Sequence, residues 1–209
     1  SSARGSRRGE LMWSGMLAYA VYNYAYYLFG ARLNAVFPLY VVLFVLAVLA
    51  LVYLLARLDV GELAGHFSAH TPERIVAAYM GFTGVGLGVA WIAQWAAWVF
   101  GGVEPAVGED AFALIAALDL TLVVPYFILG AAALWRRRPW GYVLGAVMCV
   151  KGLTYTLVLA MSSAVGAVRG IEGAAAQIPV WGAWTAVGLL AAALLLRGLQ
   201  PIGGARAGD

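Results

Sequence analysis

Residues 38–55 read PLYVVLFVLAVLALVYLL, an apolar run without a single charged side chain. A helix that crosses the hydrocarbon core of a bilayer needs about 20 mostly apolar residues. Four further segments have a similar composition and length, at residues 75–100, 112–134, 141–165 and 178–196. Each of these segments is predicted to be a membrane-spanning helix.

The composition of the whole chain agrees with this interpretation. Hydrophobic residues make up 64% of the 209 residues and charged residues 11%, against roughly half and a quarter in ordinary globular proteins. A water-soluble fold would have too few charges to cover its apolar surface, whereas in a bilayer the lipid tails are themselves the solvent. The sequence therefore predicts an all-α fold, a polytopic integral membrane bundle.

A further candidate helix lies at residues 11–29. It is less apolar because it contains five Tyr residues and Asn23, but its length and lack of charge favour a crossing. The segment is too long and too polar for the apolar core of a signal peptide, and no small-residue cleavage site follows it. We therefore predict six crossings within a transmembrane domain at residues 11–197, with tails at residues 1–10 and 198–209.

The positions of the arginines predict the orientation of the helices. With the N-terminus inside, ten Arg residues fall in cytoplasmic segments and two, Arg32 and Arg169, fall outside. Cytoplasmic loops of membrane proteins carry such an excess of basic residues. The bias towards Arg and Ala is typical of a GC-rich bacterial genome. We thus predict a multi-pass protein of the inner membrane with both termini cytoplasmic.

Two ionisable residues fall near the middle of predicted helices, Asp119 in the fourth and Lys151 in the fifth. Such a residue costs about 2.5–3.5 kcal/mol on insertion scales. The short turn at residues 136–140 pairs the two helices, so the charges are expected to be neighbours, with a water or hydroxyl bridging the remaining gap. Pro125 is expected to bend the fourth helix just past Asp119. The pair is either a packing ion pair or a binding or proton-handling site.

Tyrosines on the first predicted helix form a polar stripe. Tyr19, Tyr22, Asn23 and Tyr26 follow helical spacing. Hydroxyl groups that faced lipid would be buried without partners, so the stripe is expected to face the bundle interior. It could serve a binding site or join helices through hydrogen bonds.

Aromatic residues on the third predicted helix share one face with Gln94. Trp91 and Trp95 on this face are either the wall of an aromatic pocket or part of an interfacial belt. Tyr155 on the fifth helix completes the candidate site. The predicted ligand-binding residues are Asp119, Lys151, Asn23, Tyr19, Tyr22, Tyr26, Gln94, Trp91, Trp95 and Tyr155.

The two histidines of the chain lie in the segment between the second and third predicted helices. Glu62, His66 and His70 have the spacing E-x3-H-x3-H, which places all three on one face of a short helix. Imidazole and carboxylate ligands suit zinc. The alternative is an amphipathic helix at residues 58–70 lying on the membrane surface.

Common catalytic and nucleotide-binding motifs do not occur in the sequence. No cofactor is indicated, and no basic domain for nucleic acid is present, since the net charge of +3 reflects topology. The expected partners are membrane lipids, other membrane subunits or a second copy of the chain.

Three functions are compatible with these features. The first is a transporter or permease that binds a small molecule or ion at the Asp119–Lys151 site. The second is a non-catalytic subunit or scaffold of a larger membrane complex. The third is a membrane-embedded enzyme acting on a lipid or isoprenoid, with one of the two charges as acid–base; it ranks last because no nucleophile–base pair is visible.

Overall fold

The computed structural model describes residues 7–30, 33–105 and 107–200, and every regular element within these ranges is an α-helix. In chain order the helices are α1 (Arg7–Gly30), α2 (Phe37–Ala56), α3 (Val60–Gly65), α4 (Glu73–Gly101), α5 (Glu109–Leu122), α6 (Val124–Trp135), α7 (Pro139–Val168) and α8 (Ala174–Gly198). The predicted tails lie outside the described residues, apart from residues 7–10 and 198–200.

Five helical stretches are long and apolar enough to cross a membrane: α2, α4, α5 together with α6, α7 and α8. They coincide with five of the predicted crossings. Their outward faces carry large apolar side chains such as Leu46, Val89 and Leu190. Lipid tails can cover such a surface, whereas water cannot do so without cost. The chain is therefore a multi-pass helical membrane protein.

The first predicted segment forms α1, a helix of 24 residues that is not among these five stretches. The tyrosines and Asn23 lower its hydropathy. It packs against α2 and α7 and also touches α5. Leu11, Tyr22 and Ala25 on its inner face are buried, so α1 is an integral part of the bundle.

The central helix of the bundle is α7. It packs against α8, α6 and α1, and its residues from Gly141 to Lys151 are almost all buried. At the turn between α6 and α7 the two backbones touch, because a Cβ atom added to Gly141 would lie 2.5 Å from the carbonyl carbon of Ala133. Glycine is required where two backbones approach this closely.

The helix predicted at residues 112–134 is interrupted just before Pro125, where a bend was expected. The backbone at Val123 (φ −118°, ψ −62°) separates α5 from α6. Proline has no N–H group, and its ring clashes with the carbonyl four residues earlier, which disturbs the regular helix at this point. The break places Asp119 in the last turn of α5, where its carbonyl accepts the Val123 N–H at 3.0 Å.

The amphipathic helix predicted at residues 58–70 is much shorter in the structure. Only α3, six residues long, is helical there. Asp59 caps it by accepting the Glu62 backbone N–H at 2.9 Å, as short polar side chains do at helix starts. Leu63 is 2% exposed, and the helix packs against α7.

The first turn of α1 and the end of α8 lie at the same end of the bundle. The Arg8 side chain donates to the Leu199 carbonyl at 3.0 Å. The turn between α6 and α7 lies close to the start of α4, since an Arg137 nitrogen is 3.5 Å from a Glu73 carboxylate oxygen. Both links lie in segments predicted to be cytoplasmic.

Candidate ligand-binding site

The carboxylate of Asp119 is buried where three helices meet. It is 4% exposed. The Tyr22 hydroxyl of α1 donates to Oδ1 at 2.8 Å, and the Trp91 indole N–H of α4 donates to Oδ2 at 2.9 Å. An ionised carboxylate can only accept hydrogen bonds, so these two donors offset part of the cost of its burial.

The ammonium group of Lys151 lies against aromatic rings. Lys151 is 3% exposed, and its Nζ lies 4.1 Å from the ring centre of Tyr22 and 5.2 Å from that of Tyr155. A cation is attracted to aromatic faces at these distances. In the described part of the chain no carboxylate oxygen lies within 4.0 Å of Nζ, and Nζ donates no hydrogen bond to a protein group; since no fully buried side-chain nitrogen or oxygen there lacks a partner, Nζ keeps some access to the cavity that Lys151 lines.

The predicted proximity of the two charges takes the form of a bridge through Tyr22. Its hydroxyl binds Asp119 while its ring faces Lys151. The same ring makes an edge contact with Tyr155 at 5.4 Å between centres. A direct ion pair is not formed, because the tyrosine stands between a charge on α5 and a charge on α7.

A cavity of about 450 Å³ extends from this pair and reaches both Asp119 and Lys151. Its volume lies within the range of roughly 300–1,000 Å³ typical of small-molecule sites. Seven of the 16 lining residues are aromatic, and the lining comes from α4, α5, α6, α7 and α8. The aromatic side chains that line it are Tyr79, Phe82, Trp91, Phe127, Tyr155, Trp181 and Trp184.

The cavity lies far from both ends of the spanning helices. Lys151 is about 18 Å along α7 from Pro139, and the whole helix of 30 residues is about 45 Å long. Trp91 is about 27 Å along α4 from Glu73. The two buried charges thus lie in the middle part of the apolar helices.

The cavity opens on the side of the bundle, between α4 and α8. Phe82 on its rim is 70% exposed, and Gly86 and Ala90, which also line the cavity, are exposed. Trp184 of α8 stacks on Phe82 with ring centres 6.1 Å apart and also lines the cavity. The opening thus lies in the apolar zone of the helices.

Half of the predicted ligand-binding residues meet at this place. Asp119, Lys151, Trp91 and Tyr155 line the cavity, and Tyr22 contacts both charges. Trp91 is part of a pocket wall, which is one of the two interpretations given above for the helix face that it shares with Gln94 and Trp95.

The other predicted residues lie elsewhere. Tyr19, Asn23 and Tyr26 are half-buried on α1 and do not line the cavity. Gln94 donates to the carbonyl of Ala90 in its own helix at 3.3 Å, and Trp95 is 44% exposed. The tyrosine stripe therefore contributes to the site through Tyr22.

Sequence reasoning did not find the residues that close the cavity on the side of α8. Trp181 and Trp184 lie one helical turn apart there, and Tyr79 and Phe82 face them from α4. The spacing of these aromatic residues can be read from the sequence. However, a tryptophan in an apolar helix is as typical of the interfacial belt as of a pocket.

The prediction that Glu62, His66 and His70 share one helix face is wrong. Helix α3 ends before His66, whose ring nitrogen lies 2.7 Å from the backbone carbonyl of Glu62. The chain then turns to pair Phe67 with Leu199, which separates His70 from the helix. Within residues 7–30, 33–105 and 107–200, no three His, Cys, Asp or Glu side chains are grouped so as to hold a metal ion.

Replacing Tyr22 with phenylalanine tests the bridge. The ring stays, but the charged carboxylate of Asp119 loses one of its hydrogen bonds. The free energy of unfolding is therefore expected to fall by about 1.5–3 kcal/mol. Tyr27, 38% exposed on the same helix, provides the matched control. Tyr27→Phe is expected to change the free energy of unfolding by less than about 0.5 kcal/mol. Equilibrium unfolding of both variants in detergent micelles measures the difference, and equal effects would contradict the bridge.

The arrangement offers a ligand an aromatic wall and a cluster of N–H donors on Lys151. Such a combination can bind the apolar body of a molecule and orient one polar group. Asp119 is already engaged by two donors, so its main effect is to balance the charge of Lys151. Comparison of the chain with protein-family models, with curated proteins and with solved structures gives no match.

Proposed function

We propose that this chain is a permease-like membrane protein that binds a small molecule in the cavity beside Asp119 and Lys151. The supporting observation is that one cavity touches both buried charges. A pair that served packing alone would be enclosed by side chains. Here the charges face a space large enough for a ligand, at a depth where ionisable residues of membrane proteins usually serve function.

The proposal can be tested by identifying the small molecules that remain bound to the protein when it is purified from its host membranes. Lys151→Met and Asp119→Asn are each expected to reduce the bound molecule at least about tenfold, since each leaves the other charge unbalanced. Asp110→Asn, an exposed carboxylate in the first turn of α5, is the control and should retain it. Mass spectrometry of the extracts makes the comparison, and full retention by either site variant would overturn the proposal.

We also propose that α1 is a sixth crossing and that both ends of the chain are cytoplasmic. An even number of crossings is supported by the contact between Arg8 and Leu199, which joins the two ends of the described bundle. The arginine excess supports the cytoplasmic side. Green fluorescent protein fused to either end should fluoresce, and alkaline phosphatase fused there should be inactive. Opposite behaviour at the two ends would contradict six crossings.

A membrane-embedded enzyme that acts on a lipid or isoprenoid is the second candidate. The sideways opening beside Phe82 favours it, because a lipid substrate could enter without crossing water. Asp119 or Lys151 would then act as acid–base. Conversion of an added isoprenoid by the purified protein would distinguish this candidate from a permease. A non-catalytic subunit would instead co-purify with other membrane proteins.

A further inference from the structure

We infer that the ligand of this cavity is a neutral, mostly apolar molecule with a hydrogen-bond-accepting oxygen, such as a carbonyl, and that it enters from the lipid. This inference rests on the proposed function, since it names the chemical class that the same cavity would bind. Three observations lead to it: the donors of Lys151, the balance of charge in the cavity, and the position of the opening.

The first observation is the unmatched hydrogen-bonding capacity of Lys151. An ammonium group has three N–H donors, and among the described residues Nζ makes no hydrogen bond. The faces of Tyr22 and Tyr155 attract its charge, but they do not replace an oxygen acceptor. Because Lys151 lines the cavity, a ligand oxygen there could accept from it.

The second observation is that the cavity is electrically balanced. Asp119 and Lys151 are the charged residues that line it, one negative and one positive. A neutral ligand leaves the net charge at zero, whereas a carboxylate or a quaternary ammonium would add an uncompensated charge in the hydrocarbon zone. Such a charge is costly to bury. The acceptor that Lys151 needs should therefore belong to an uncharged group.

The third observation is the route into the cavity. The exposed rim residues Phe82, Gly86 and Ala90 open towards lipid at mid-depth. A molecule that is already dissolved in the bilayer core can reach the aromatic wall without passing through water. This favours an apolar body over a polar one, and it makes residue 86 a suitable position for blocking entry.

Three photoreactive probes with the same diazirine-bearing alkyl chain test this inference: a methyl ketone, a carboxylate and a trimethylammonium. Each is titrated into liposomes that contain the full chain, and peptide mass mapping measures covalent labelling of the cavity residues. The ketone is expected to reach half-saturation at a concentration at least about tenfold lower than either charged probe.

Two variants connect the labelling to named residues. Lys151→Met should raise the half-saturating ketone concentration at least about tenfold, which is the loss expected for a hydrogen bond to a charged donor. Gly86→Leu should abolish labelling by placing a bulky side chain at the opening; the backbone there has room for a side chain, because no heavy atom lies within 4 Å of an added Cβ. Gly182→Leu is the matched control, since its Cβ also meets open space and Gly182 does not line the cavity.

The outcomes separate this inference from the proposed function. Preferential labelling by the ketone that depends on Lys151 and is blocked at residue 86 supports both. Tighter labelling by the carboxylate or the ammonium, blocked in the same way, overturns the neutral class and leaves the binding site standing. If all three probes label the protein and Gly86→Leu does not change that labelling, both the inference and the proposed function are overturned. The Gly86→Leu variant provides this test even if Lys151→Met fails to fold.

Discussion

Replacing Asp119 with alanine is expected to lower the free energy of unfolding by about 3–5 kcal/mol. The substitution removes the acceptor of two donors, the Tyr22 hydroxyl and the Trp91 indole N–H. It also removes the negative charge that balances Lys151 in the bundle interior. Each buried donor left without a partner is destabilising by itself, so the effects act in the same direction. Equilibrium unfolding in bicelles measures the loss.

The control for this variant lies on the same helix. Asp110→Ala removes an exposed carboxylate from the first turn of α5 and should cost less than about 1 kcal/mol, mainly through the helix dipole. If Asp119→Ala cost no more than Asp110→Ala, the carboxylate would not be held as the structure describes. The double variant Asp119→Asn with Lys151→Met should recover part of the stability lost in each single variant, because no uncompensated charge remains.

Replacing Gly141 with alanine is expected to cost about 3 kcal/mol or more, at the upper end of what overpacking usually causes. The added Cβ would lie 2.5 Å from the carbonyl carbon of Ala133 and 2.6 Å from the Cα of Leu134. These are backbone atoms, which cannot rotate away as a side chain can. The tight turn between α6 and α7, where Arg138 N–H donates to the Ala133 carbonyl at 2.9 Å, prevents the helices from moving apart.

Glycines in open positions provide the comparison for this variant. Gly86→Ala and Gly182→Ala place a Cβ where nothing lies within 4 Å. Both residues are inside helices, so alanine should stabilise the protein by up to about 1 kcal/mol. Opposite signs at residues 141 and 86 are thus expected in the same unfolding experiment. If alanine at residues 141, 86 and 182 reduced stability in every case, helix propensity and close backbone contact would not explain the loss caused by Gly141→Ala.

The charged pair could be predicted from sequence for two physical reasons. A charge inside an apolar run is costly, so Asp119 and Lys151 stand out from the composition alone. The short turn after Trp135 makes their helices neighbours. The sequence also predicts that a water or a hydroxyl bridges the charges; in the structure Tyr22 of the stripe contacts both, with its hydroxyl bonded to Asp119 and its ring facing Lys151.

The side of the cavity formed by α8 could not be predicted in the same way. Loop length determines which consecutive helices are neighbours, but α4 and α8 are far apart in the chain. Helix α8 packs against α7, whereas α4 packs mainly against α6, which itself packs against α7; the proximity of α4 and α8 at Phe82 and Trp184 follows from this arrangement. That packing depends on side-chain shape along whole helices, which a single sequence does not reveal.

Two of the sequence expectations that failed did so for local reasons. The shared helix face of Glu62 and His70 assumed a helix longer than α3, which ends at Gly65. The expected contribution of Gln94 assumed that the amide would face the bundle interior, whereas it donates to its own helix. In both cases the spacing was compatible with a site, but the backbone or the helix rotation directed the side chain elsewhere.

A cryo-electron microscopy map of the protein in lipid nanodiscs would test the central claim most directly. The claim is that Asp119 and Lys151 face an accessible cavity at mid-membrane depth. The map should show Tyr22 bridging the two residues and ligand or lipid density reaching Lys151 between α4 and α8. A space filled by Trp181 and Trp184, with Lys151 bonded only to protein groups, would contradict it.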